Sequence, residues 1–111
     1  KAAFNEVILS GIPPTGGLYL PESIPFFNLE DTHLSIEDPF SDWATEILWP
    51  YVQPHFNRQE FHELCLDAFS FEPVLVPVEE NIWSLELYHG PTLAFKDFGA
   101  RFLARVMSSV S

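Results

Sequence analysis

Lys96 is one of two lysines in the chain, and it is flanked by aromatic residues. The apolar spacing that follows it predicts a helix over residues 93–110, with Thr92 as the N-cap. A cation in the first turn of a helix opposes the helix dipole, and Phe95 and Phe98 would remove water from the amine. Both effects favour a neutral, nucleophilic amine that forms a Schiff base with a carbonyl.

The residue types around Lys96 also fit a simpler interpretation. A lone lysine near a helix start commonly lies along apolar surface with its charge in water. Composition and spacing alone therefore leave both interpretations of this residue open.

The order of residues in two segments adds a resemblance. Residues 87–99 read Leu-Tyr-His-Gly-Pro-Thr-Leu-Ala-Phe-Lys-Asp-Phe-Gly. This segment resembles the pyridoxal-phosphate lysine motif of the threonine synthase family, within the fold-type II (tryptophan-synthase-β-like) pyridoxal-phosphate enzymes. Residues 11–21, with paired glycines before Leu-Tyr-Leu-Pro, are similar to the N-terminal signature of that family.

The resemblance implies a reaction and a set of site residues. Lys96 would be the Schiff-base lysine that holds pyridoxal 5'-phosphate and moves protons, with Phe95 beside the cofactor ring. His89 and Thr92 are candidate substrate contacts, because they precede a helix start, where anions are favoured. The family reaction converts O-phospho-L-homoserine and water into L-threonine and phosphate, which makes this a carbon-oxygen lyase acting on a phosphate ester.

The three charged residues that follow Lys96 are expected to have structural roles. Asp97 is expected to offset the helix dipole or to pair with Arg101 one turn later. Arg101 and Arg105 lie well up the helix from Lys96, so they are expected to meet solvent or an acidic neighbour rather than a phosphate.

The charge distribution limits the partners. The net charge is −11, with two basic and fifteen acidic residues in 1–88 but three basic and one acidic in 89–111. An acidic surface repels nucleic acid and anionic membranes, whereas the cationic excess near the C-terminal end is compatible with a small anionic substrate. The resemblance implies that the partners are the small-molecule substrate O-phospho-L-homoserine and the remainder of the same polypeptide.

Cysteine and histidine usage gives little support for other chemistry. A single cysteine, Cys65, excludes an internal disulfide and fits a reducing, cytoplasmic location, and no apolar run is long enough for a membrane span. Cys65 belongs to an apolar stripe, and His62 beside it lacks further converging ligands, so no metal site is predicted.

The predicted elements give an α+β fold, with helices from Ala2 to Ser10, from Asp42 to Leu48 (ended by Pro50), and from Asn57. Strands are predicted at 73–78 and 82–88, joined as a hairpin. We expect a small mixed N-terminal domain over 1–80. Residues 81–111 are expected to begin a larger α/β pyridoxal-phosphate-binding domain, whose further strands lie outside this chain.

The chain is expected to be a piece of a longer protein, and on its own to be inactive and to bind cofactor weakly or not at all. Two alternatives remain: a threonine-synthase-like phospho-lyase for another phosphorylated amino acid, and a non-catalytic interaction or capping domain. In the second, the interface aromatics would be Trp43, Trp49, Phe26 and Phe27.

Overall fold

A computed structural model describes all residues from 1 to 111. It contains four helices and one two-stranded sheet, the mixed α+β class that the sequence predicts. The elements in chain order are α1 (Phe4–Ser10), α2 (Phe40–Val52), α3 (Arg58–Ala68), β1 (Val74–Glu79), β2 (Ile82–Glu86) and α4 (Lys96–Val110). None of the helices has the length and apolar character needed to cross a membrane.

Helix α3 begins where the sequence predicts. The Asn57 side chain accepts a hydrogen bond from the Glu60 amide at 2.9 Å, and the Glu60 carboxylate accepts one from the Asn57 amide at 3.3 Å. This reciprocal pair is a capping box. It satisfies two backbone donors that a helix start otherwise leaves free.

The core forms where α3 packs between α2 and α4. The predicted apolar stripe of α3 is buried except at Leu64, which is partly buried. A run of aromatic rings extends the core towards α4, where Phe69 stacks on Phe102 with ring centres 5.7 Å apart. The buried cluster consists of Ala44, Val52, Phe56, Phe61, Cys65, Ala68 and Phe69. Phe102 and Arg101 of α4 thereby meet the C-terminal end of α3.

The predicted end of α2 is wrong. The helix continues through Pro50 to Val52, although proline lacks the amide that would bond to the preceding turn. Val52 is 2% exposed, and its burial favours the additional turn because it removes apolar surface from water. Pro50 itself lies on the exposed side of the helix.

The two strands pair as the predicted antiparallel hairpin. The register places Val74 opposite Glu86 and Leu75 opposite Leu85, with a bulge between Pro77 and Glu79. Asn81 takes the left-handed conformation in the turn, with φ of 63°. Asparagine tolerates that conformation better than most residues, so it fills the position that a glycine would otherwise favour.

Candidate functional site

Lys96 is the first residue of α4 and is exposed. It makes no hydrogen bond or ion pair with another side chain in this chain. The expected removal of water from the amine is not seen here, because Lys96 is exposed and Phe95 beside it is 65% exposed. Within these residues the amine is unpaired and accessible to a reactant.

An apolar groove of about 840 Å³ lies beside Lys96. Its walls come from the start of α4, from the end of the hairpin and from aromatic residues of the core. The lining residues are Phe40, Phe69, Pro73, Leu85, Leu87, Phe95, Lys96, Phe98, Gly99, Ala100 and Phe102. Lys96 is the one ionisable group in this lining, so the groove presents a single amine on an apolar wall.

The segment before α4 does not have the predicted helix start. Leu93 has φ of 59°, in the left-handed region, so the helix cannot include it and begins at Lys96 instead. Thr92 is therefore not an N-cap. Its amide and hydroxyl both donate to the Asp97 carboxylate, at 2.9 Å and 2.6 Å. In an ordinary N-cap the side chain before the helix binds an amide inside it. Here the side chain inside the helix, Asp97, binds the residue before it.

Asp97 lies in the first turn of α4, where a carboxylate is favourable to the helix dipole, but its expected pairing with Arg101 is wrong. Its side chain is 4% exposed and is bound to Thr92. The hydrogen bond from the Thr92 hydroxyl holds the pKa of Asp97 below its ordinary value, helped by the Thr92 and Ala94 backbone. Asp97 is therefore an ionised acceptor buried next to Lys96.

His89 lies at the end of the hairpin, bound to the strand that precedes it. Its Nε2 is 2.9 Å from Glu86 Oε1, and its ring stacks on Tyr88 at 4.7 Å between ring centres. Hydrogen bonds from Tyr88 and His89 lower the pKa of Glu86, so the carboxylate is ionised near neutral pH and Nε2 carries the hydrogen. The second ring nitrogen, Nδ1, has no partner in this chain and is the atom that His89 can offer to a ligand.

The two arginines of α4 connect it to α3. Arg101 donates to the backbone oxygens of Ala68 and Asp67, each at 2.9 Å, and to the Ser70 hydroxyl at 3.3 Å. These oxygens lie at the C-terminal end of α3, where a cation is favourable. Arg105 pairs with the Asp67 side chain, which confirms the expected acidic neighbour and lowers the pKa of Asp67.

Other ionisable residues do not converge into a metal centre. No group of three or more histidine, cysteine or acidic side chains is placed to hold an ion. His62 Nε2 lies 2.8 Å from Asp42, and Cys65 is fully buried, where desolvation raises the pKa of its thiol. Cys65 is thus part of the core.

The aromatic residues considered as an interface are divided between surface and core. Phe26 is 91% exposed, whereas Phe27 packs against Trp43 with ring centres 6.2 Å apart. Trp49 contacts the buried Phe61 ring. These four residues do not form one exposed patch.

Sequence reasoning missed the strand side of the groove. Leu85 and Leu87 alternate along the chain, a spacing that puts two side chains on one face of an extended segment. That alternation is visible in the sequence and identifies the wall opposite α4. The approach of Phe40 and Phe69 to the same groove is a tertiary contact with no local signal.

Comparison with known proteins gives a consistent result. The family model described as threonine synthase N terminus matches residues 1–69. Threonine synthase from Haemophilus influenzae is 36% identical over 99% of this chain, which corresponds to 25% of the relative.

Two solved structures have the same fold over this region. The threonine synthase crystal structure from Escherichia coli matches 98% of this chain and 26% of its own, with a TM-score of 0.90 and 31% identity. The pyridoxal-phosphate-bound threonine synthase from Brucella melitensis matches 97% of this chain and 24% of its own, with a TM-score of 0.89 and 33% identity. The chain spans about a quarter of the length of these relatives. It belongs to the threonine synthase family.

Proposed function

We propose that these residues form the N-terminal part of a threonine synthase and supply the lysine that binds its cofactor. One observation carries the proposal: Lys96 is an unpaired, exposed amine on the wall of an apolar groove, in a chain of this family. The proposed reaction releases phosphate from O-phospho-L-homoserine and adds water to give L-threonine, a carbon-oxygen lyase reaction in the cytoplasm.

The groove has the chemistry that pyridoxal 5'-phosphate requires. A free amine suits covalent attachment to an aldehyde carbon, and apolar walls suit an aromatic ring. Phe95 lines the groove next to Lys96 and is proposed to contact the ring face. When bound, the cofactor supplies an electron sink for the substrate carbon.

The residues of this chain have proposed roles around that sink. The Lys96 amine bonds the cofactor and, once substrate displaces it, accepts and returns protons at Nζ. His89 is proposed to contact the substrate through Nδ1, because Nε2 is committed to Glu86. The Thr92 hydroxyl donates its hydrogen bond to Asp97, so the hydroxyl oxygen can contact substrate only as an acceptor.

The contacts for the cofactor phosphate are proposed to come from the remainder of the polypeptide. Phosphate is commonly held by successive backbone amides in a glycine-rich loop. The one glycine after Lys96 in this chain, Gly99, lies inside α4. We therefore propose a division into an N-terminal domain over 1–80 and the beginning of the cofactor-binding domain over 81–111. These 111 residues alone are expected to show no turnover and little or no cofactor binding.

The experiment uses the full-length enzyme and its Lys96→Ala variant. Each is incubated with pyridoxal phosphate and reduced with borohydride, and the modified peptide is identified by mass spectrometry. We expect an adduct on Lys96 in the parent, with Lys1 unmodified as the internal comparison, and no phosphate release from O-phospho-L-homoserine by the variant. A folded, cofactor-saturated parent with unmodified Lys96 would overturn the proposal.

The inactivity of the shorter chain has its own test. The 111-residue chain is incubated with saturating pyridoxal phosphate and O-phospho-L-homoserine, and free phosphate is measured against the full-length enzyme. Release above that of a Lys96→Ala version of the same chain would contradict the expectation.

A further inference from the structure

The turn before Lys96 is held by a buried carboxylate. In residues 88–97 only Gly90 and Asp97 are buried, while Lys96 and most of its neighbours are exposed. Both oxygens of Asp97 accept a hydrogen bond from Thr92, one from the amide and one from the hydroxyl. A carboxylate that accepts two such bonds ties the loop to the first turn of the helix.

Gly90 is the third part of this arrangement. A β-carbon at position 90 would lie 2.5 Å from Asp97 Oδ2 and 2.8 Å from the Asp97 β-carbon. Those separations are shorter than any side chain tolerates, so the absence of a side chain at Gly90 is what lets the carboxylate reach the loop.

The loop between these residues is bent tightly. The Leu93 amide donates to the Gly90 carbonyl at 3.1 Å, and the Asp97 amide donates to the Ala94 carbonyl at 3.1 Å. Leu93 occupies the left-handed region with φ of 59°, which is unfavourable for a residue with a β-carbon. Strain of this kind persists only where surrounding contacts hold it, and it is common next to functional groups.

We propose that Asp97 is a positioning residue for Lys96. Both oxygens of Asp97 bind Thr92, and these bonds hold the backbone of residues 90–95 in its observed conformation. In that conformation α4 begins at Lys96 and the amine lies on the groove wall. This inference rests on the proposed function of Lys96, but it concerns a different residue and a different step. Asp97 contributes the direction from which the amine approaches, and it does not itself touch the reacting atoms.

The test compares four variants of the full-length enzyme: Asp97→Ala, Thr92→Val, Thr92→Ser and Glu80→Ala. Thr92→Val removes the hydroxyl and keeps the shape, whereas Thr92→Ser keeps the hydroxyl. Glu80→Ala removes an exposed carboxylate in the hairpin turn and is the matched control. Three quantities are measured: the rate of borohydride-trapped adduct formation at Lys96, the hydrogen exchange of amides 90–96, and the melting temperature.

We expect Asp97→Ala and Thr92→Val to slow adduct formation by roughly ten- to a hundredfold, the size of effect that a small misplacement of a reacting group produces. The same two variants should accelerate hydrogen exchange in 90–96. Glu80→Ala should retain the parent's adduct rate, and Thr92→Ser, which keeps the hydroxyl bond to Asp97, should lie closer to the parent than Thr92→Val does. A purely structural role would lower the melting temperature and leave the adduct rate well below that temperature unchanged.

Each other outcome has a defined meaning. Parent-like adduct rates in both Asp97→Ala and Thr92→Val overturn the positioning role of Asp97 and leave the proposed function of Lys96 intact. No adduct at Lys96 in the parent overturns the proposed function, and the role of Asp97 with it. If Asp97→Ala does not fold, the Thr92→Val and Thr92→Ser pair decides, because the two differ in the hydroxyl that binds the carboxylate.

Discussion

The starts of α3 and α4 each satisfy a backbone amide with a side-chain oxygen, but from opposite directions along the chain. At α3 the acceptor is Asn57, which precedes the helix and binds the Glu60 amide. At α4 the acceptor is Asp97, the second helical residue, which reaches back to the Thr92 amide and hydroxyl. The first arrangement begins a helix for packing, whereas the second shapes the loop that leads to Lys96.

The two helices also differ in what they bury. Helix α3 buries Phe61, Cys65 and Ala68 in the core, which makes it the centre of the packed region. The start of α4 exposes Lys96 and the preceding Phe95, and its first turn buries a charged group, Asp97, instead of an apolar one. Apolar burial stabilises the first region, and hydrogen bonds to a carboxylate define the second.

The largest effect on stability is expected from Phe61→Ala. Phe61 is completely buried and contacts the rings of Trp49, Phe56 and Phe102. Truncating a buried phenylalanine removes apolar contact and leaves a cavity, which costs about 3–5 kcal/mol. Hydrogen exchange of the α3 amides in the full-length enzyme measures the loss as a lower free energy of opening.

The control for this prediction is Leu66→Ala on the exposed side of α3. Its effect should lie within about 0.5 kcal/mol, as for most surface substitutions. Equal losses in the two variants would show that α3 is not the packed centre of this region. At temperatures where Phe61→Ala remains folded, its adduct formation at Lys96 should match the parent, in contrast to Asp97→Ala.

An intermediate effect is expected from Arg101→Met, which cuts the polar connection between the two helices. Arg101 donates to two backbone oxygens at the end of α3 and to Ser70. Loss of hydrogen bonds from a charged donor costs about 1–3 kcal/mol, while methionine retains part of the apolar stem. Thermal unfolding of the full-length enzyme, combined with hydrogen exchange at the C-terminal end of α3, measures the change.

Arg58→Met is the matched control for Arg101→Met. Arg58 is exposed, pairs with the partly buried Glu46 and lies over the Trp49 ring at 5.3 Å. An ion pair at the surface contributes about 0–1 kcal/mol. If Arg58→Met lowered the stability as much as Arg101→Met does, the hydrogen bonds of Arg101 to the carbonyls at the end of α3 would contribute no more than a surface ion pair.

The difference between the two helix starts also explains what the sequence could predict. The start of α3 depends on Asn57 and Glu60 with fixed spacing, so local pattern was sufficient. The stripe of α3 was likewise visible as a period of 3.6, and the hairpin was visible as two strand-like runs separated by a short polar turn. The resemblance of residues 87–99 to a lysine motif identified Lys96 as the reactive candidate, but not the geometry around it.

The start of α4 could not be predicted from the same rules. Thr92 is a good N-cap by residue type, yet Leu93 lies in a conformation that excludes it from a helix. That conformation depends on the close approach of Gly90 to Asp97 and on the packing of α4 against α3. The continuation of α2 through Pro50 has a similar origin, because tertiary burial of Val52 outweighs a local preference.

The smallest expected effect is a change of stability at acidic pH. It distinguishes the start of α4, where the capping side chain is a carboxylate, from the start of α3, where it is an amide. Asp97 has a lowered pKa because Thr92 donates to its charged form. Between the lowered native pKa and the unfolded value of about 4, the unfolded state binds more protons, so stability rises with pH there. The contribution of the carboxylate is complete above that window and is lost as pH falls through the native pKa.

We therefore expect the stability difference between the parent and Asp97→Asn to be largest at neutral pH and to shrink below about pH 4. Asparagine retains an acceptor oxygen but carries no charge, so the comparison isolates the ionised form. Asp67 and Glu86 also have lowered pKa values, but they are present in both proteins and cancel. Hydrogen exchange of amides 90–96, corrected for the intrinsic effect of pH, gives the opening free energy in each protein.

The same measurement at α3 supplies the contrast. Asn57 has no titrating proton, so the cost of Asn57→Ala, about 1 kcal/mol, should not change over this range. A pH-independent difference at both helix starts would mean that the charge of Asp97 contributes nothing and that its oxygens act only as neutral acceptors. A difference that shrinks with acid at α4 alone would show that the charge of Asp97 holds the turn before Lys96, whereas the Asn57 side chain caps α3 without a charge.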